Sequence, residues 1–301
     1  MATNNTRNAF FGRIASLMEN NNNIYIVSVD LAGPPFDDIR RKYPDRYVSV
    51  GIAEQNAVAV ACGLASLKKK VIVYAANPFP LLRAFDQIRN CACAMKLPVA
   101  VVGLGTGFSV AECGTTHLTI EDVALASLCA GMDIYSVSDT DMAIGLANAF
   151  TRFEKPTYIR LGKWSDAPLC EFDEKSLDFG FRVIKDGIDA AVVATGCTVK
   201  LINDMNIPLD FALIDFIKLS CPDHLIEHLK KYSKIITVEE QQLRGGIGSL
   251  ILEKFNNMNI MKHVERIGID LTDGYPQEYG DRDYWLSKYG ITMERITGSL
   301  K

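Results

Sequence analysis

Two hydrophobic periods alternate along the chain. Within residues 7–18, Phe10, Phe11, Ile14, Leu17 and Met18 recur at helical spacing, and the asparagines Asn20 to Asn23 that follow stop the helix. The next run, IYIVSV at 24–29, is short and β-branched and ends at Asp30, which predicts a strand buried on both faces, as in a parallel sheet. Similar runs recur at 47–50, 71–74, 99–103, 134–137 and 157–161, with helix-like stretches at 53–67, 81–95, 120–130 and 141–153 between most of them. Residues 164–179 break this rhythm with a polar, turn-rich stretch holding Pro168, Glu171, Asp173 and Glu174. A second alternation follows, with strands expected at 190–194, 211–214, 235–239 and 264–268 and a helix at 223–232. The pattern predicts two tandem α/β domains, each a largely parallel sheet flanked by helices: residues 1–164, a linker at 165–180, and residues 181–301.

The length of 301 residues agrees with two domains of about 150 residues each. With 48% hydrophobic and 23% charged residues the composition is that of a folded globular chain, which excludes disorder and collagen-like repeats. The net charge of -4 arises from interspersed basic and acidic residues and gives no footprint for nucleic acid. No apolar run is long enough to cross a bilayer, and residues 1–23 lack a basic flank followed by an apolar core, so a cytoplasmic protein without membrane contact is expected. The eight cysteines, without CxxC pairs, read mostly as buried thiols.

Candidate chemistry concentrates in GIAEQN at 51–56, between a strand and a strongly apolar helix. Glu54 therefore falls at a helix start. A carboxylate there either complements the helix dipole or serves as a functional acid in a low-dielectric site. His117, one of four histidines, lies in a Gly/Thr loop and fits either a structural role or proton transfer. His224 and His228 match a zinc-protease spacing, but on a charged surface-type helix with no further ligand, so no metal site is expected. Gly103, Gly105 and Gly107 lack the third glycine of a dinucleotide loop, which leaves a nucleotide-dependent oxidoreductase as a weak alternative. Gly245, Gly246 and Gly248 read as a turn leading into a helix.

PDRYVSVGIAEQNAVAVACGLAS, ANPFPLLRAFDQIRN, GTTH at 114–117, PTYIRLGK at 156–163 and TVEEQQLRGGIGS at 237–249 together resemble the transketolase and deoxyxylulose-phosphate synthase family, which uses thiamine diphosphate. The resemblance covers most of the chain. It implies that Glu54 hydrogen-bonds N1′ of the cofactor's aminopyrimidine, favouring the imino tautomer whose 4′-nitrogen takes the proton from C2 of the thiazolium. It implies a pyrimidine pocket at Phe79, Arg83 and Phe85. An extra residue relative to some members leaves the stacking residue open: Phe79, between two prolines, is favoured, and Phe85 also fits an ordinary core position. Asp30 resembles an aspartate near cofactor and subunit interface, and a helix cap is the other reading.

The same resemblance gives His117 contact with substrate hydroxyls and a part in proton transfer. Two departures bear on the substrate: Cys113 stands where relatives usually carry a sugar-binding aspartate, and Lys163 lies near a position that often holds a phosphate-binding arginine. No GDG occurs in the chain, although the family holds the diphosphate and Mg²⁺ with a GDG…N motif on a separate domain. The resemblance thus implies the C-terminal subunit of a split transketolase, moving a two-carbon ketol unit from a ketose phosphate donor to an aldose acceptor. A partner carrying the N-terminal, diphosphate-binding half would complete an α2β2 heterotetramer. The alternatives are a deoxyxylulose-phosphate-synthase-like or 2-oxo-acid dehydrogenase β-type subunit, and a catalytically silent scaffolding subunit.

Overall fold

Valine- and isoleucine-rich segments buried on both faces build the first sheet of the computed structural model, which describes residues 5–31, 33–163 and 167–301. Its strands are β1 (Ile24–Ser28), β2 (Tyr47–Ser49), β3 (Lys70–Ala76), β4 (Val99–Leu104), β5 (Asp133–Ser136) and β6 (Thr157–Leu161), all parallel, in the order β2-β1-β3-β4-β6-β5. Parallel neighbours require crossovers. Helix α1 (Thr6–Asn20) precedes β1, and the crossovers carry α2 (Pro34–Lys42), α3 (Glu54–Ser66), α4 (Phe79–Leu82), α5 (Phe85–Gln87), α6 (Asp122–Ser127) and α7 (Thr140–Ala149). Alternate strand residues serve opposite faces. Val71 and Val73 pack with Ala57, Val58 and Ala61 of α3, while Ile72 and Tyr74 pack with Phe10, Phe11 and Ile14 of α1, Phe36 and Ile39 of α2, and Leu146 of α7.

The second sheet contains β7 (Phe181–Lys185), β8 (Ala190–Ala194), β9 (Ala212–Phe216), β10 (Lys234–Gln242) and β11 (Val264–Ile269), in the order β11-β10-β8-β9-β7. Only β7 runs antiparallel, pairing with β9. Helices α8 (Lys175–Phe179), α9 (Cys197–Asp204), α10 (Asp223–Leu229), α11 (Ile247–Asn257), α12 (Arg282–Lys288) and α13 (Met293–Leu300) complete this unit. Among the described residues no helix is long and apolar enough to cross a membrane.

The fold departs from the sequence pattern at a few elements. The expected helix at 81–95 is a broken run: α4 ends at Leu82, α5 resumes at Phe85, and Ile88–Cys93 widens into a π-helical turn. Of the linker stretch, Trp164, Ser165 and Asp166 lie outside the described residues, while α8 forms within its remainder and buries Leu177. Helix α2 carries no long apolar stripe, yet Pro34 and Pro35 suit its first turn and Phe36 and Ile39 bury. Five of the eight cysteines are buried, Cys91 and Cys170 are half-buried, and Cys113 is exposed.

Candidate functional site

The loops leaving the C-terminal ends of the first sheet's strands gather the chemistry, as expected for an open parallel sheet. Strand β1 delivers Asp30, β2 leads into Glu54, β3 into Phe79, β4 into the loop bearing Cys113 and His117, and β6 into Lys163. Glu54 is the first residue of α3, where its charge complements the helix dipole, and only 6% of it is exposed. Arg83 donates from Nη1 to Glu54 Oε1 at 3.0 Å. The Arg83 guanidinium carbon lies 4.1 Å from the centroid of the Phe79 ring, and that ring meets the His117 imidazole edge-on at 5.0 Å. His117 Nδ1 is 3.0 Å from Thr116 Oγ1. Four of the residues singled out in the sequence thus form one continuous chain of contacts.

The remaining candidates lie around it. Phe85 is half-buried against the core beneath α3. Asp30 is exposed with φ of 47°, and α2 is capped at Gly33 without a side-chain bond, so Asp30 is not the cap of that helix. Lys163 pairs with Glu112 at 3.0 Å on the surface, which sets it beside the segment carrying the exposed Cys113.

A buried polar network supports these loops from below. Arg160, 1% exposed, donates from Nε and Nη2 to the two oxygens of Asp122 at 2.6 and 3.2 Å and from Nη1 to Ser136 at 2.9 Å. Tyr158 donates to Asp122 at 2.9 Å and lies 3.0 Å from Asn77 Oδ1. Burial and the Asp122 charge hold the Tyr158 hydroxyl well above its ordinary range. The network therefore ties the start of the Phe79 loop, at Asn77, to the helix that follows His117.

The His117 loop is also held by the second unit. Glu240 accepts from the Phe108 amide at 3.1 Å and from Arg282 Nη2 at 2.5 Å. Thr115 Oγ1 donates to the Pro276 carbonyl, and the Gln242 amide donates to Ile120 at 2.8 Å. Phe108, Ala111, Leu118 and Ile120 share a core cluster with Trp285 and Ile296. Gly107 and Gly114 have φ of 54° and 80°, and a Cβ on them would come within 2.5 Å of Glu240 and 2.7 Å of the Tyr279 ring respectively.

Glu112, Asp122, Arg160, Glu239 and Glu240 were not singled out in the sequence. Arg160 and the two glutamates do carry a signal: each sits in or at the end of an apolar, β-branched run, where a charge must find a buried partner. On α10, the His224 and His228 rings pack against Phe179 and Phe181 at 5.3 and 4.8 Å. Among the described residues no group of three or more His, Cys, Asp or Glu side chains could hold a metal ion. Glu54 and Phe79 offer a buried acceptor beside an aromatic face, which fits a planar ring with N–H donors; the described residues offer no comparable set for a metal-bound diphosphate.

Residues 2–165 match the family described as transketolase, pyrimidine binding domain. Over 86% of its length the chain is 31% identical to the 1-deoxy-D-xylulose-5-phosphate synthase of Clostridium acetobutylicum, and it covers 43% of that protein. It is 26% identical to a putative transketolase C-terminal section of Methanocaldococcus jannaschii, over 91% of this chain and 88% of that one. A solved split-gene transketolase, described as an inactive beta4 tetramer, superposes with a TM-score of 0.79 at 25% identity, covering 98% of this chain and 96% of that one. The chain thus spans less than half of the synthase it resembles and nearly all of the split-gene structure.

Proposed function

The chain belongs to the transketolase pyrimidine-binding-domain family, and from that membership we propose that it is one subunit of a split, thiamine diphosphate-dependent transketolase. It moves a two-carbon ketol unit from a ketose phosphate to an aldose. The observation that carries this reading is the buried Glu54 carboxylate opening α3 beside the Phe79 ring. Bound thiamine diphosphate supplies the electron sink for breaking and re-forming the carbon–carbon bond next to a carbonyl. Glu54 holds the proton at N1′ of the aminopyrimidine, and Phe79 walls that ring and keeps water from it. His117, in contact with Phe79, orients a substrate hydroxyl and exchanges a proton with it. Lys163 and Cys113 lie on the rim that meets the sugar, where Lys163 offers a phosphate a point charge rather than a bidentate fork. Phe85 backs the pocket, and Asp30 lies at its outer edge. The diphosphate and Mg²⁺ are held mainly by an N-terminal partner subunit in an α2β2 heterotetramer, and residues 1–164 and 181–301 act as cofactor-binding and C-terminal domains joined at 165–180.

The test mixes this chain with a diphosphate-binding partner subunit, thiamine diphosphate and Mg²⁺, and follows cleavage of ketose phosphates. Turnover that needs both chains and falls by roughly 10²–10⁴ in Glu54→Gln is the expected result. Undiminished turnover in that variant refutes the role of Glu54. The 31% identity to a deoxyxylulose-phosphate synthase favours a second reading, in which the donor is pyruvate. Decarboxylation of pyruvate without ketose cleavage establishes it, and a complex that binds cofactor but turns over neither donor is a scaffold.

A further inference from the structure

Arg83 makes with Glu54 and Phe79 the contacts that a bound planar ring would make. It donates to the carboxylate at 3.0 Å and places its guanidinium carbon over the aromatic ring, 4.1 Å from the centroid. A guanidinium is a planar, delocalised N–H donor. Stacking on an aromatic face while donating to a carboxylate is also what an aminopyrimidine does. The two receiving groups are anchored: the Glu54 side chain is 7% exposed and Phe79 is half-buried, whereas the Arg83 side chain is 51% exposed and reaches in from solvent. Among the described residues no other side chain pairs with Glu54.

Resting on the function proposed above, we infer that Arg83 is a placeholder, occupying the aminopyrimidine position in the cofactor-free protein and leaving it when the cofactor binds. A buried carboxylate without a partner is costly, so a cation paired with Glu54 stabilises this part of the fold. A half-exposed ion pair and an exposed cation–π contact are each weak, so the cofactor displaces them at small cost. Arg83 also sits at the break between α4 and α5, where a change of its side-chain rotamer disturbs no continuous helix.

This chain and its Arg83→Met variant, each assembled with the diphosphate-binding partner subunit, are titrated calorimetrically with 4-amino-2-methylpyrimidine, which reports this pocket alone, and with thiamine diphosphate and Mg²⁺. Both are also melted with and without the cofactor. Removing the competitor is expected to tighten binding of both probes about 5- to 10-fold. The variant should melt lower than the parent when cofactor-free, and the difference should close at saturation. Weaker binding identifies Arg83 as a ligand that stays in place, and unchanged binding shows that it does not compete; either overturns the placeholder while leaving the proposed function standing. A parent complex that assembles but binds neither probe removes the proposed function and the placeholder together. Arg83→Gln serves as a second variant if the methionine disturbs folding.

Discussion

Glu239 shows how a single buried carboxyl gives the molecule a pH dependence. It has no exposed surface and takes the amides of Ile247 and Gly248 at 2.6 and 3.1 Å, closing the N-terminus of α11. Burial outweighs those bonds and pushes its pKa from 4.5 up to about 8. A carboxyl whose pKa rises on folding binds its proton more tightly in the native state. Its contribution is therefore complete below 4.5 and is lost as pH climbs through about 8. The melting temperature should fall across that window, and Glu239→Gln should flatten the fall; an unaltered pH profile in the variant excludes Glu239 as its source. Glu54 was legible in the sequence because an acid stood alone between a strand and an apolar helix. Glu239 and Arg160 were not, because their partners, the α11 amides and Asp122, arrive from other parts of the chain.

At the scale of elements, the loop between β4 and α6 is shaped by the unit it does not belong to in sequence. Gly107 adopts φ of 54°, and its Cα faces Glu240 so closely that an added Cβ would lie 2.5 Å from the Glu240 Cβ. Gly107→Ala should therefore shift the loop or Glu240. The expected cost is about 1–3 kcal/mol in stability, read from urea unfolding, with a fall in turnover through His117 while the cofactor still binds at Glu54. Equal stability and turnover in the variant would show that the brace does not set the loop. The parallel strands of both sheets were readable because each holds a short apolar, mostly β-branched run, and α1 because its apolar residues share one face. Helices α2 and α8 and the antiparallel β7 were not, since each is short and takes its stability from tertiary contacts such as those of Ile39 and Leu177.

Across the whole molecule, one arginine joins the two sheets. Arg182 of β7 donates to Asp139 at 2.5 Å and to Asp215 of β9 at 3.0 Å, with Ser138 between them. Asp139 in turn caps α7 through the Met142 amide. Burial pushes the Asp215 carboxyl upward, and Arg182 opposes that shift. Arg182→Met leaves two buried carboxylates without their cation and should lower stability by about 3–5 kcal/mol, read from the denaturant midpoint. Adding Asp215→Asn should recover part of the loss, because one stranded charge is then gone; a double variant no more stable than the single one argues against this account. The loop that carries His117 has a consequence for inheritance. It packs against residues of the second unit, among them Glu240, Tyr279 and Trp285. Recombination that exchanged the C-terminal unit for a relative's would replace that side of the mould at a stroke. The two units must accordingly descend together, and changes near residue 280 will be retained or discarded according to what residues 107–117 can accept.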